Sequence, residues 1–199
     1  DVTGNAMLEI QFYKDLKLTT NIGLQYVGSS NDVLFNWFYG YSAGIGSITK
    51  TQANSLALTA NQILHYQKSI DKHDIGAFVG HESTLYHFSK MYGQKRNLAD
   101  PYGLEWSNAV AYVSMDSYTQ DDAVESYFGA INYSYGERYF LTGNYRADGG
   151  SRFSKENRWS NYGSIGAAWV LSNEPFMRDV NWLNYFKLRT SWGVVGNQN

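Results

Sequence analysis

The chain of 199 residues has no cysteine, only two prolines, and no apolar run near the ~18 residues that a membrane helix needs. Without cysteine there is no disulfide scaffold, no thiolate metal site and no thiol catalysis, although that absence names no compartment. Charged residues make up just 17%, and the formal net charge of −2 provides no long-range field to gather nucleic acid. The start, Asp1-Val2-Thr3-Gly4, lacks the basic and apolar regions of a signal peptide, and the end, Gly196-Asn197-Gln198-Asn199, directly follows a strand without a partner. Both ends read as cut from a longer protein. What the chain has in quantity is aromatic: 17 Tyr, 10 Phe and 6 Trp, beside 19 Gly. Such a composition excludes disorder. Tyr and Trp suit surfaces that are half apolar and half wet, such as a bilayer interface or a carbohydrate-facing loop.

Missing helical spans do not exclude a membrane, because a β-barrel spreads its apolar residues over alternate positions. That alternation is present. In 186–194, Phe186, Leu188, Trp192 and Val194 share one face of a strand with Thr190, and Lys187, Arg189, Ser191 and Gly193 share the other. Seven earlier segments repeat the rhythm. Strands are expected at about 6–13 and 16–27, joined by a tight turn at Lys14-Asp15, and at about 52–67, where Gln62 interrupts the apolar side. A fourth follows the turn 69–72, with Ile75, Ala77 and Val79 opposed to Gly76, Gly80 and Glu82. A fifth spans about 125–135, and a sixth follows Gly136-Glu137 with Tyr139, Leu141, Gly143 and Tyr145 opposed to Thr142, Asn144 and Arg146. The seventh carries Ile165, Ala167, Trp169 and Leu171 on one face.

The connections at about 28–50, 91–123 and 148–158 are long, and those between them are short, the last (173–184) being a longer turn with one helical turn after Pro175. In an up-and-down sheet this alternation gathers the long loops at one end. A Greek-key sandwich mixes lengths at both ends. Faces bearing Lys, Arg, Glu and Asn fit a water-filled lumen better than a dry core. The fold class expected is therefore all-β, an antiparallel up-and-down transmembrane β-barrel segment. Asn144, Arg146, Lys187 and Arg189 are its candidate lumen-facing residues. Two rivals stand beside it: a small closed eight-stranded barrel, and a soluble β-sandwich that binds carbohydrate.

No catalytic residue, cofactor or metal is expected. Gly-x-Ser-x-Gly is absent, Gly44-Ile45-Gly46 lacks the third glycine of a nucleotide loop, and the four histidines follow no ligand spacing. Asp121, Asp122 and Glu125 lack the regular spacing of a calcium loop and read as a solvated edge. Asp148-Gly149-Gly150-Ser151 reads as a strand exit in which glycine allows positive φ and Asp148 bonds its own backbone, and Glu174-Pro175 reads as a turn breaker. The better candidates for ligand contact are loop aromatics: Trp37, Phe38, Tyr39 and Tyr41 in the first long loop, Tyr102 and Trp106 in the second. Their rings suit stacking on sugars, on a partner, or on one another. Trp169 and Trp192 are expected in interfacial girdles.

A series of short motifs keeps its order from residue 144 onward. Asn144-Tyr145-Arg146-Ala147-Asp148-Gly149-Gly150-Ser151-Arg152-Phe153 is followed by Asn157-Arg158-Trp159, Trp169, Glu174-Pro175-Phe176, Lys187-Leu188-Arg189 and Gly193-Val194-Val195-Gly196-Asn197-Gln198. This series resembles the SusC/RagA family of TonB-linked outer-membrane transporters from Bacteroidetes. That family carries R-x-D-G-S-S-R-F, N-R-W, E-P-F, L-K-L-R and G-x-x-G-N-Q in the same order. Gly150 stands where Ser is usual and Trp192 where Tyr is usual. Residues 1–143 fit more loosely, through strand rhythm and through Gly80-His81-Glu82, which resembles a Gly-x-Glu strand end. The resemblance implies about eight strands from the middle of a barrel of about 22. Residues 1–199 would all belong to the barrel domain, with the plug and TonB box absent from this chain. It further implies TonB-driven import of oligosaccharides or peptides across the outer membrane of a Gram-negative bacterium, with a SusD-like surface lipoprotein, TonB and outer-membrane lipid as partners.

Overall fold

The computed structural model describes residues 1–177, 180 and 182–194. The final Val195-Gly196-Asn197-Gln198 of the motif series lies outside the described residues. Eight strands follow one another: β1 Val2–Tyr13, β2 Leu16–Phe35, β3 Ser47–Ile70, β4 His73–Leu98, β5 Ala109–Tyr135, β6 Tyr139–Gly150, β7 Trp159–Val170 and β8 Lys187–Val194. They form one antiparallel up-and-down sheet in which every strand neighbours the next in sequence. β1 and β8 stand at its two ends and are not neighbours, so the small closed eight-stranded barrel is overturned. The soluble sandwich is overturned as well. Two packed layers would bury a whole apolar face, yet the buried hydrophobic residues among those described are only Ile48, Ala109 and Val170.

The expected strands are all present, and β1 to β5 are longer than the alternation suggested, β1 beginning at Val2. β2 continues to Phe35, β3 begins at Ser47, β4 runs to Leu98, and β5 begins at Ala109. The intervals 28–50 and 91–123 are thus loops only over 36–46 and 99–108. Gly80-His81-Glu82 consequently lies within β4 and not at a strand end. Backbone pairing holds these extensions as strands without needing apolar alternation, which is a property of lipid contact and not of the ladder. Among its described residues the final connection carries the expected helical turn after Pro175, a 3-10 turn at Pro175–Met177, and a second one before it at Leu171–Asn173.

The tight turns follow backbone chemistry. Gly136 and Glu137 both adopt left-handed φ, 56° and 54°, and Arg138 N–H closes the turn on Tyr135 O at 3.1 Å. Two consecutive left-handed residues match the twist of a hairpin. By contrast Gly149 and Gly150 do not take positive φ. They are strand residues that leave room for rings. A Cβ on Gly149 would stand 3.0 Å from the Trp159 indole, and one on Gly150 would stand 3.3 Å from the Phe153 ring.

By compactness the chain divides into two units, Asp1–Gly4 with Leu24–Leu58 and Leu85–Asp122, and Asn5–Gly23 with Thr59–Thr84 and Ala123–Asn199. The first holds the loops 36–46 and 99–108. The second holds β6, β7, β8 and the turns at 14–15, 71–72 and 136–138.

Candidate functional site

Within the second unit the sheet has one apolar and one polar face. Cross-strand pairing aligns Ile131 with Gly143, Gly143 with Ile165, and Ile165 with Trp192, so one apolar row crosses β5 to β8. Large side chains on this face stay exposed, including Leu141, Ile165, Leu188 and Val79. Rings flank the row. On one side Tyr135 lies 6.4 Å from Tyr139, and Tyr139 stacks 6.3 Å from Trp169, with His73 4.7 Å from Tyr135. On the other, Tyr127 lies 4.9 Å from His81 and 5.9 Å from Trp159. The step from Tyr127 to Tyr135 covers about 27 Å along a strand, or about 20 Å of height at a tilt near 40°. That approaches the ≈ 25 Å apolar band of an outer-membrane barrel between its aromatic girdles. Trp169 stands in such a ring file. Trp192 instead pairs across from Ile165, inside the band.

Gln62, the interruption of the apolar face, belongs to a closed polar chain. Its Oε1 lies 3.0 Å from His81 Nδ1, His81 Nε2 lies 2.6 Å from Glu125 Oε2, and Ser83 Oγ donates to Glu125 Oε1 at 2.7 Å. An unpaired carboxylate on an apolar face is costly, and these hydrogen bonds offset that cost. Asp121 is engaged separately with His87 at 2.6 Å, and Asp122 accepts from Gln120 at 2.8 Å. The acidic residues 121, 122 and 125 therefore point to different partners.

Glu174 does more than break a turn. Its side chain accepts from Arg138 Nη1 at 2.9 Å, from Tyr139 Oη at 2.5 Å and from Trp169 Nε1 at 2.9 Å. Only 5% of the residue is exposed. Hydrogen bonds from Tyr139 and Trp169, together with Arg138, hold the carboxyl below its ordinary pKa. One acid thus ties β6, β7 and the last connection together. The spacing of Trp169 and Glu174 carried this signal, but the partners Arg138 and Tyr139 are too distant in sequence to be seen there.

The polar face gathers the charged residues. Lys17 Nζ donates to Glu9 Oε1 at 2.8 Å, and Asn21 Nδ2 donates to Asn61 Oδ1 at 2.9 Å. Arg146 is held from three sides: Nε to Asp148 Oδ1 at 2.7 Å, Nη2 to Glu82 Oε1 at 3.2 Å, and Nη2 to Ser126 Oγ at 3.0 Å. Asp148 therefore bonds Arg146, not its own backbone. Asn144 donates to Ser164 Oγ at 3.1 Å. Lys187 Nζ stands 4.4 Å over the Phe140 ring, and with Arg189, Thr142 and Gly166 it lines a recess of about 380 Å³. All four residues expected on the wet side, Asn144, Arg146, Lys187 and Arg189, share this face.

In the first unit the loop 36–46 is shaped by Gly40, Gly44 and Gly46, all at positive φ, with Gly44 N–H on Trp37 O at 2.8 Å. The loop 99–108 is clamped by Asn108, whose Nδ2 donates to the Asp100 and Gly103 carbonyls, each at 2.7 Å. Phe38 bridges the two loops, 6.0 Å from Trp37 and 6.2 Å from Tyr102. Tyr39 and Tyr41 project freely, Tyr41 being 97% exposed. Trp106 is not part of that cluster. It packs over Gly93, whose Cβ would stand 3.1 Å from the indole, and its carbonyl accepts from Lys95 Nζ at 2.9 Å.

No family model matches the chain. Among curated proteins it is similar to the TonB-dependent receptor SusC of Bacteroides thetaiotaomicron, 33% identical over 207 residues, covering 100% of this chain and 20% of the relative. It is also similar to the TonB-dependent receptor P3 of Formosa agariphila, 28% identical over 165 residues, covering 78% of this chain and 16% of the relative. The chain thus spans about a fifth or less of the length of these relatives. Among solved structures it superposes on the RagAB peptide transporter with a TM-score of 0.87 at 22% identity, over 96% of this chain and 22% of that one. The RagAB peptide importer in its open-open state gives the same TM-score, 0.87, again at 22% identity, over 96% of this chain and 21% of that one.

Proposed function

We infer that this chain, a segment of the SusC/RagA family of TonB-linked outer-membrane transporters, forms part of the barrel wall of a nutrient importer. The observation that carries this reading is the two-faced sheet: exposed Leu, Ile, Tyr and Trp on one side, ion pairs and amides on the other, over a fold shared with a transporter. The apolar face meets lipid and the polar face lines the lumen, so Asn144, Arg146, Lys187 and Arg189 border the water-filled passage. The long connections lie outside the cell, where Phe38, Tyr39, Tyr41 and Tyr102 meet incoming substrate or a SusD-like surface lipoprotein. Energy comes through TonB, contacted by parts of the receptor other than this wall. The relatives are named as receptors and transporters. The cargo is an oligosaccharide or a peptide.

Two measurements test the reading. The chain has no cysteine, so spin labels on single cysteines report only the chosen positions within it. In the intact receptor in lipid, labels at Ile131, Leu141 and Ile165 should relax with oxygen, and labels at Asn132, Thr142 and Ser164 with a water-soluble nickel chelate. Uniform water accessibility at all six would refute the membrane wall. Uptake of labelled oligosaccharide or peptide mixtures by cells expressing the receptor should stop when TonB is deleted, and continued uptake would refute energised import.

A further inference from the structure

β5 is 27 residues long and its neighbour β6 only 12. β6 pairs with β5 from Val124 to Tyr135, so residues 109–122 have β4 on one side and, among the described residues, no strand on the other. β4 and β6 both belong to this chain, so the open edge is a feature of the fold. It runs for about 45 Å at ~3.3 Å per residue. Ala123 shows which backbone groups it presents. The Ala123 carbonyl accepts from Ser151 N–H and its N–H donates to Ser151 Oγ, each at 2.8 Å, so this residue faces the β6 side. Backbone groups alternate between the two neighbours along an antiparallel strand. Met115 lies against Gly93, and Asp121 bonds His87, six residues on along both strands, so no bulge resets the alternation. The odd-numbered residues from 111 to 121 therefore hold N–H and C=O toward the open side. Ser117, one of them, turns its N–H onto the adjacent side chain, Asp116 Oδ1, at 2.8 Å.

We propose that this edge is a docking site for an extended strand of a partner protein, which joins the sheet beside β5. The proposal rests on the long connections lying outside the cell, as argued above, and adds a surface to that reading. Edges left to water are usually blunted by lysine, proline or a bulge. Residues 109–122, Ala-Val-Ala-Tyr-Val-Ser-Met-Asp-Ser-Tyr-Thr-Gln-Asp-Asp, contain no Lys, Arg, Pro or Gly. Val110, Tyr112, Val113, Met115 and Tyr118 are all exposed. Strand addition satisfies the open backbone groups, and side chains facing across the new ladder set the choice of strand. Three acids and no cation stand on 109–122, so the strand that fits carries Lys or Arg opposite Asp116 and apolar or β-branched residues opposite Tyr112 and Tyr118. A short cargo peptide would cover the backbone and leave Val110, Tyr112 and Met115 in water, whereas a strand carried on a folded partner brings side chains to both faces.

The test uses the intact receptor in detergent and three synthetic probes: the peptide acetyl-Thr-Val-Thr-Val-Lys-Val-Thr-Val-Thr-amide, its central Lys→Glu form, and the Lys form with alternate backbone nitrogens methylated. The Lys peptide should bind saturably in calorimetry, the Glu form at least about tenfold more weakly, and the methylated form not at all. Val113→Pro and Thr119→Pro each remove a donor that faces the open side and leave the β4 ladder whole. Both should keep the melting temperature within a few degrees and weaken the Lys peptide by about tenfold. Asp116→Lys should reverse the preference between the Lys and Glu peptides, and this exposed position decides the matter if the proline variants fail to fold. No saturable binding, equal binding of the methylated peptide, unchanged affinity in folded proline variants or an unreversed preference in Asp116→Lys would each overturn the site. TonB-dependent entry of the bound peptide into cells would make the occupant cargo. Self-association abolished by Val113→Pro would make it a second copy of the receptor. Either result overturns the partner strand, and none of them bears on the lipid wall, which the spin labels decide.

Discussion

Ile131 and Asn132 are consecutive residues of β5 with opposite surroundings, and replacing each by arginine measures what lies on either side. Ile131 is 54% exposed and aligns with Gly143, in the row that continues to Ile165 and Trp192. Tyr127 and Tyr135 each lie about 14 Å along the strand, in opposite directions, so position 131 falls midway within the ring-bounded band. An arginine in the lipid-facing band of a barrel costs about 2–4 kcal/mol near the midplane. Loss of isoleucine from hydrocarbon adds about 1 kcal/mol at ~25 cal/mol per Å² for the half of the side chain that is exposed. Ile131→Arg should therefore destabilise the intact receptor by about 3–5 kcal/mol, a shift of two orders of magnitude or more in its folding equilibrium. Asn132→Arg places the same charge on the exposed polar face opposite Thr142, where a surface substitution is worth about 0.5 kcal/mol or less. Guanidinium unfolding of the receptor reconstituted in phospholipid vesicles, followed by heat-modifiable gel mobility, reads both. Equal losses, or a larger loss at Asn132, would refute the assignment of lipid to the apolar face.

Three further outcomes are expected. Glu174 is held below its ordinary pKa, so its clasp contributes fully above the unfolded-state value and is lost as pH falls below the ordinary carboxylate range; Glu174→Gln should flatten the acid limb of the stability profile, and an unchanged limb would count against the clasp. Gly149→Val forces a branched side chain against the Trp159 indole, where even a Cβ would stand 3.0 Å away, so it should cost about 1–3 kcal/mol and red-shift Trp159 fluorescence, whereas Gly4→Val, with nothing within 4 Å, should do neither. Tyr102→Ala removes a ring 6.2 Å from Phe38 in an exposed loop contact, so it should change melting temperature by less than about 2 °C while lowering uptake or lipoprotein association; a large stability loss with intact uptake would make the ring merely structural.

What the residues disclosed follows from which forces leave a periodic trace. A wall that meets lipid on one side and water on the other carries period two, so the sides of Leu141 and Asn144, or of Leu188 and Arg189, are readable one strand at a time. Where strands β2 to β5 continue past that band, pairing alone sustains them. A ladder of backbone hydrogen bonds leaves no trace in side-chain type, which is why 109–122 looks like a loop and is a strand. The polar partnerships leave still less. Gln62 looked like a flaw in an apolar face until His81 and Glu125 supplied its neighbours from two other strands. Likewise the glycines of Asp148-Gly149-Gly150 suggested a turn because glycine's commonest use is positive φ, whereas here the need is for space beneath Trp159 and Phe153. The rings on the polar face are the sharpest case. Phe78, Phe128 and Tyr162 come from three strands spanning 85 residues, and no local pattern connects them. Only register does: Phe128 pairs with Arg146, and Arg146 with Tyr162, so one rung of the sheet carries two rings and the cation between them. A one-residue slip of β6 would send Arg146 to the apolar face. The ion pairs that fix Arg146 to Glu82 and Asp148 thus act on register as well as on charge.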